Sequence, residues 1–242
     1  MRVAVLSDIH SNLRALEAVL ASIGSVDAIW QLGDVVGYGP DPEAVVRRLC
    51  EAGAIGVKGN HDAAAVGDLS VEDFNADARA AIEWTRARLN EDTRAYLAAL
   101  PEVLVPAGFD FTIAHGSPRD PIWEYLTDAR AARENLSAFA TSYCLVGHTH
   151  VPLVLRQKRI QMEGLTVDAE SRLQLDERRS ILNPGSVGQP RDGDPRASYM
   201  LIDTATGRAT WQRVRYDVEA TQAAMLEAAL PPRLARRLAF GA

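Results

Sequence analysis

All five histidines of this 242-residue chain lie in short polar motifs whose residue types could hold a metal ion or a phosphate. They are His10 in Ser7-Asp8-Ile9-His10, His61 in Gly59-Asn60-His61-Asp62, His115 in Ala114-His115-Gly116, and His148 and His150 in Gly147-His148-Thr149-His150. Asp34, in Leu32-Gly33-Asp34, supplies a second carboxylate, with Gly33 permitting a close backbone turn. Asp8, His10, Asp34, Asn60, His115, His148 and His150 form a mixed oxygen and nitrogen donor set without sulfur. Such a set suits borderline first-row ions: Mn, Fe, Zn, Co or Ni. One open catalytic ion usually keeps about three protein ligands, so seven donors fit two ions better, with one carboxylate between them. Two divalent cations against two aspartates and a bridging hydroxide leave a single positive charge. That charge would hold a phosphodiester monoanion, and the ions would acidify a water and stabilise phosphoryl oxygens, as pairs about 3.5–4 Å apart do.

The motifs follow apolar runs that read as buried strands, such as Val3-Ala4-Val5-Leu6 and Tyr143-Cys144-Leu145-Val146. Asp8 and His10 are two residues apart, as are His148 and His150, which predicts an extended backbone pointing both side chains of each pair the same way. A strand over 2–7 is followed by Leu13, Leu16, Leu20 and Ile23 at helical spacing, then by a strand from Ala28 to Leu32. A helix over 41–52 leads to the strand Ala54-Ile55-Gly56-Val57, with Asn60 just past its end. This alternation predicts right-handed βαβ units and a parallel sheet, with the donors where the strands end. A helical insert near 73–100 follows, with Phe74, Ala78, Ile82, Thr85 and Leu89 on one face and a shorter helix ending before Pro101. Next come a hairpin-like pair (102–106 and 109–114), a helix over 127–138 and a strand over 142–146. Val151–Gln157, Arg159–Val167, Arg179–Leu182, Ser198–Ile202 and Thr210–Val214 read as β segments of a second, more antiparallel sheet. Asp168–Ser180 reads as a surface hairpin or loop, and a C-terminal helical tail is expected near 217–240. Without repeats or low-complexity stretches, residues 1–242 are expected to form one domain.

Composition narrows the partners. With 47% hydrophobic and 24% charged residues the chain is ordinary globular material, and no apolar run approaches the roughly 20 residues of a membrane span. A cleavable signal is not expected, because Asp8 lies where it would be removed, so the expected location is cytoplasmic. Cys50 and Cys144 fit that compartment as small buried residues. The net charge of −6 argues against nucleic acid as a partner. The locally basic C-terminal stretch Arg233-Leu234-Ala235-Arg236-Arg237 reads as the solvated face of a last helix. Asn12 or Ser11 is expected to cap the helix starting near Leu13. Asp62 is expected to support a ligand or cap a helix rather than bind metal. Trp30, Trp84, Trp123 and Trp211 are expected in the core or half-buried.

The series Asp8-x-His10, Gly33-Asp34, Gly59-Asn60-His61-Asp62, His115 and Gly147-His148-Thr149-His150 resembles the signature of the calcineurin-like metallophosphoesterase superfamily, complete and in order across residues 5–150. The loop Asn183-Pro184-Gly185-Ser186-Val187-Gly188-Gln189-Pro190-Arg191 is similar to one in the small prokaryotic phosphodiesterases of that superfamily. The resemblance implies a four-layer α/β/β/α sandwich of two mixed sheets and a dinuclear centre, for which Mn2+ is favoured. It implies that Asp8, His10, Asp34 and His150 hold one ion and that Asp34, Asn60, His115 and His148 hold the other. By the same resemblance His61 assists the leaving group as an imidazole titrating near neutrality while hydroxide between the ions attacks phosphorus. Arg191 either meets a phosphate oxygen or sits in a surface ion pair; Tyr38 either stacks on a substrate base or covers the core.

These readings point to a metal-dependent phosphodiesterase acting on a small phosphodiester or nucleotide. The related protein phosphatases carry an arginine after the bridging aspartate to grip a monoester, whereas Val35-Val36-Gly37-Tyr38 carries none. Two alternatives stand beside this one. A nucleotide-polyphosphate hydrolase would share the fold, and a non-catalytic scaffold, as in the retromer coat subunit, would bind partners only. The presence of His61 speaks against the scaffold.

Overall fold

In the computed structural model, which describes residues 1–242, twelve strands and eight helices follow one another along the chain. The first half runs β1 (Arg2–Leu6), α1 (Leu13–Ser22), β2 (Ala28–Gln31), α2 (Pro42–Glu51), β3 (Ile55–Gly56), α3 (Asn60–Val66), α4 (Ala76–Arg86) and α5 (Glu91–Ala99). Then come β4 (Val103–Leu104), β5 (Phe111–Ala114), α6 (Ala129–Asn135), β6 (Tyr143–Leu145), β7 (Leu153–Lys158), β8 (Gln161–Leu165), β9 (Arg172–Gln174) and β10 (Ser180–Asn183). The chain closes with β11 (Ala197–Asp203), β12 (Arg208–Val214), α7 (Val218–Glu227) and α8 (Pro232–Arg237). No helix is long and apolar enough to cross a membrane.

The strands form two six-stranded mixed sheets, ordered β3-β2-β1-β11-β12-β9 and β4-β5-β6-β10-β7-β8. Side-chain alternation along each strand explains the four layers. In β1, Val3 and Val5 enter the core between the sheets, while Ala4 and Leu6 face α1 and α2. In β6, Tyr143 and Leu145 enter the same core, and Cys144 faces the side covered by α6. Leu182 and Ile181 of β10 divide in the same way. Trp30 and Trp211 are the bulkiest members of the central core, and the Trp211 indole donates to the Asn183 carbonyl at 2.8 Å. Strands buried on both faces therefore read as continuous apolar runs, as parallel strands do. The fold is the α/β/β/α sandwich of two mixed sheets that the sequence led us to expect.

The parallel triplet β1-β2-β3 lies in one sheet, and β5-β6-β10 forms a second parallel triplet in the other. Their C-terminal ends carry the polar motifs. The expected division into a first-half sheet and a later antiparallel one needs correction. β11, β12 and β9 complete the first sheet, whereas β4, β5 and β6 start the second. Pairing is nonlocal here, and local patterning cannot report it. A strand also runs within Asp168–Ser180, where β9 pairs with β12 at a sheet edge; only Leu173 there is buried. Cys50 is a further correction. Val45, Val46 and Leu49 take the inward positions of α2, so Cys50, a hundred degrees or so further round, is exposed.

Cys144 is fully buried, and burial pushes its thiol well above the ordinary range. A chromogenic disulfide reagent is therefore expected to titrate one thiol in the native protein and two after unfolding. Two rapidly reacting native thiols would contradict the packing of Cys144 beneath α6.

Candidate metal centre

The seven expected donors meet at the mouth between the two triplets, and all are buried. Asp8, His10, Asp34 and His150 form one group able to hold a metal ion, and Asp34, His115 and His148 form a second. Asn60 joins the second group, with Oδ1 3.2 Å from His115 Nε2. Asp34 belongs to both. Its Oδ1 accepts the His61 amide at 2.9 Å, while Oδ2 lies 3.5 Å from His10 Nε2 and 3.4 Å from His115 Nε2.

The backbone fixes which nitrogen each imidazole turns inward. A carbonyl can only accept, so the ring nitrogen facing it carries the proton. His10 Nδ1 donates to the Val36 carbonyl at 3.2 Å, His150 Nδ1 to Gln189 at 2.6 Å and His115 Nδ1 to Leu32 at 2.8 Å. His148 is turned the other way, with Nε2 donating to the Trp123 carbonyl at 3.2 Å. The inward nitrogens then converge: His10 Nε2 and His150 Nε2 are 3.1 Å apart, as are His115 Nε2 and His148 Nδ1. Burial holds His10 and His150 well below the usual imidazole range and His148 down to about 3. These three rings are thus neutral, and two of them present facing lone pairs with no hydrogen between.

The carboxylates are arranged to the same end. Asp8 Oδ2 accepts from Ser7 Oγ at 2.6 Å and from the His148 amide at 3.1 Å. Asp8 Oδ1 is buried with no hydrogen-bond partner and lies 3.3 Å from His150 Nε2. A buried oxygen left without a donor costs about 1–3 kcal/mol, a cost that a cation would remove. Burial, reinforced by Asp34, pushes the Asp8 carboxyl up to about 7. Burial lowers His115, but Asp34 and then Asp8 outweigh it and hold a proton there up to about 9. The cluster draws positive charge, and its donor set fits divalent cations.

The backbone route to this arrangement differs from the expected one. β1 ends at Leu6, and Asp8 and His10 then adopt left-handed conformations with φ of 52° and 50°. His148 and His150 do likewise at 64° and 60°, and Asp34 at 52°. Turning chain, rather than strand alternation, aims each pair. Left-handed backbone costs an L-residue about 1–2 kcal/mol, and such strain collects at functional sites. Glycine is required where these turns touch: a Cβ on Gly33 would lie 2.8 Å from His115 Nδ1 and 2.7 Å from the Gly59 amide nitrogen. Asn60 is likewise not at a strand end but at the first position of α3, a helix without a clear sequence signal.

His61 belongs to neither metal-competent group. Its ring is wedged against Tyr38, His10 and Phe74 at centroid distances of 4.3, 4.8 and 5.2 Å. Nδ1 is buried without a partner, against Gly37. Burial lowers this imidazole to about 4, away from the near-neutral titration expected from the sequence. Asp62 accepts the Val36 and Gly59 amides, each at 3.0 Å, tying the turn after β2 to the start of α3. Asn12 caps α1 through the Ala15 amide at 3.1 Å. Tyr38 is 6% exposed, with its ring against His10 and His61, so it chiefly covers the imidazoles.

The loop 183–191 clasps the turn after β1. Val187 and Gly188 amides donate to the Ser7 and Asp8 carbonyls at 2.9 and 3.0 Å, and Ser186 Oγ donates to Asp8 at 2.8 Å. Arg191 lies within 4 Å of no carboxylate; its guanidinium donates to Gln189 Oε1 at 2.9 Å. A cavity of about 90 Å3 over the cluster is lined by Asp34, Asn60, His61, His148, His150 and Arg191, among others. Sequence reasoning missed Tyr125, whose ring centroid lies 3.9 Å from that of His148 at this cavity's rim. No motif surrounds Tyr125, so nothing local could have singled it out. It also missed Gln189, whose carbonyl fixes the His150 tautomer.

Comparison with known proteins agrees with this geometry. A metallophosphoesterase from Sphaerobacter thermophilus superposes with a TM-score of 0.91 at 47% identity, covering 100% of this chain and 99% of that one. An uncharacterized protein of Methanocaldococcus jannaschii is 36% identical over 99% of this chain and 98% of its own length. The phosphodiesterase YfcE of Escherichia coli K12 is 30% identical over 84% of this chain and 88% of its own length. Residues 1–207 match the calcineurin-like phosphoesterase superfamily domain. With its buried Asp/His cluster and two-sheet sandwich, the chain belongs to the calcineurin-like phosphoesterase superfamily.

Proposed function

We propose that the protein is a phosphodiesterase that holds two divalent cations and hydrolyses a small phosphodiester. Asp8, His10, Asp34 and His150 would hold one ion; Asp34, Asn60, His115 and His148 would hold the other. The observation that carries this reading is the place of Asp34 Oδ2, about equally distant from His10 Nε2 and His115 Nε2 at 3.5 and 3.4 Å. Oxygen and imidazole donors without thiolate suit Mn2+, with Fe, Zn, Co and Ni as alternatives. When bound, such ions acidify water and neutralise charge on phosphoryl oxygens.

The chain's own residues do the rest. His61 walls the 90 Å3 cavity, and with Nδ1 against Gly37 its Nε2 edge is left to the substrate. Packed by three rings and neutral, it keeps one orientation and donates a hydrogen bond to the departing oxygen, whose proton comes from the attacking water. Water adds oxygen to phosphorus as the ester P–O bond breaks, and the products are a phosphomonoester and an alcohol that takes the proton. Arg191, at the same wall, meets a phosphoryl oxygen. The identity of YfcE as a phosphodiesterase supports diesters over monoesters as substrates, as does the lack of an arginine in 35–38.

Mn-supported hydrolysis of bis(p-nitrophenyl) phosphate is the direct test; two bound ions without turnover in any metal would favour a binding scaffold instead. His61→Ala is expected to lower kcat by about 10²-fold or more while metal content by elemental analysis stays near wild type. Loss of metal together with activity would make His61 a ligand. Asp34→Asn should empty at least one metal position, and full occupancy in that variant would rule out the shared role of Asp34.

A further inference from the structure

A second, larger cavity of about 680 Å3 adjoins the one over the metal centre, and the two share Tyr38, Asn75, Tyr125 and Arg191 in their walls. Three guanidinium groups line it: Arg191 at its inner end, and Arg233 and Arg237 from α8. None of the three lies within 4 Å of an Asp or Glu carboxylate, although other arginines such as Arg48, Arg119 and Arg196 are paired with one. Asp77, in the first turn of α4, is the one acidic side chain in the wall. Arg237 donates through Nε to the backbone oxygen of Ala242, the last residue of the chain, which also lines this cavity. It is half-buried, and burial, followed by the charges of Arg191 and Arg233, pushes its guanidinium below the ordinary range.

Three like charges drawn around one cavity repel each other, and packing alone does not call for them in a protein of net charge −6. An anion between them would relieve that repulsion, and guanidinium forks match phosphate oxygens geometrically. The basic stretch that reads from sequence as a solvated helix face thus turns two of its arginines into a cleft. That cleft opens onto the metal centre.

We propose that Arg191, Arg233 and Arg237 form an anion subsite, and that the substrate is a phosphodiester carrying a second phosphate, seated in the larger cavity while the scissile phosphate lies over the metal centre. The part concerning the scissile group rests on the diesterase reading above; the anion subsite is a property of the larger cavity by itself. Arg191 stands at the junction, within reach of both phosphates. The exposed ring of Tyr125 gives a flat wall at the neck between them.

Two measurements test this. The first compares hydrolysis of thymidine 5′-(p-nitrophenyl phosphate) with that of the same ester bearing a 3′-phosphate, by release of p-nitrophenol from the Mn-loaded protein. The phosphorylated ester should show kcat/KM higher by about tenfold or more, and the preference should fall toward unity in Arg233→Gln/Arg237→Gln. The second titrates inorganic pyrophosphate into metal-stripped protein by calorimetry. Wild type and Arg233→Lys/Arg237→Lys should bind, and the double Gln variant should bind at least about tenfold more weakly, with an unchanged melting temperature showing that it is folded. Pyrophosphate binding that depends on these arginines, without turnover of either ester, would keep the subsite and remove the diesterase reading. Turnover of both esters at equal efficiency, or pyrophosphate binding indifferent to the arginines, would overturn the subsite and leave the diesterase reading intact.

Discussion

The structure depends on one constraint: four buried imidazoles each commit one ring nitrogen to a backbone carbonyl and so must turn the other toward its neighbours. Leu32 and Val36 after β2, Trp123 after β5 and Gln189 after β10 provide those carbonyls. The result is two pairs of inward nitrogens, each 3.1 Å apart, around a carboxylate oxygen that faces both pairs. Such an assembly of acceptors is unfavourable in a dry interior unless positive charge joins it. The Asp8 oxygen with no donor and the proton held by His115 express the same demand.

The two sheets exist, in functional terms, to hold those loops against one another. Three parallel strands in each sheet end at the same mouth, and the core between them, built around Trp30 and Trp211, fixes their spacing. Where the strands stop, left-handed residues turn the chain sharply enough to aim donors inward. The loop 183–191 then locks the first turn by donating to its carbonyls. The strain of these turns is tolerable because hydrogen bonds and close glycine contacts on every side leave the backbone no alternative.

Much of this was legible in the sequence because the relevant signals are local. Apolar runs followed by Asp, Asn and His motifs located strand ends and the seven residues that the fold gathers there, and helical periodicity located α1, α2 and α4. What stayed hidden depends on contacts between distant segments. Sheet membership is one case: β11 pairs with β1 across almost 200 residues of chain. β9 has one buried residue in three and so no pattern to read. The left-handed turns at Asp8 and His148 share their spacing with extended chain and differ in their backbone dihedrals. Tyr125 reaches the mouth through tertiary folding of a segment that carries no motif, and Arg237 lines the adjoining cavity from a stretch that reads as a solvated helix face. The position of Cys50 on α2 turned on a single residue of helical phase. His61 illustrates a last limit, because its depressed pKa arises from burial that no local pattern reports.

Anomalous diffraction from crystals grown with Mn2+ tests the dinuclear centre most directly. Two peaks about 3.5–4 Å apart are expected, one among Asp8, His10 and His150 and one among Asn60, His115 and His148, with the Asp34 carboxylate between them. A single peak, or two peaks that do not share Asp34, would contradict it.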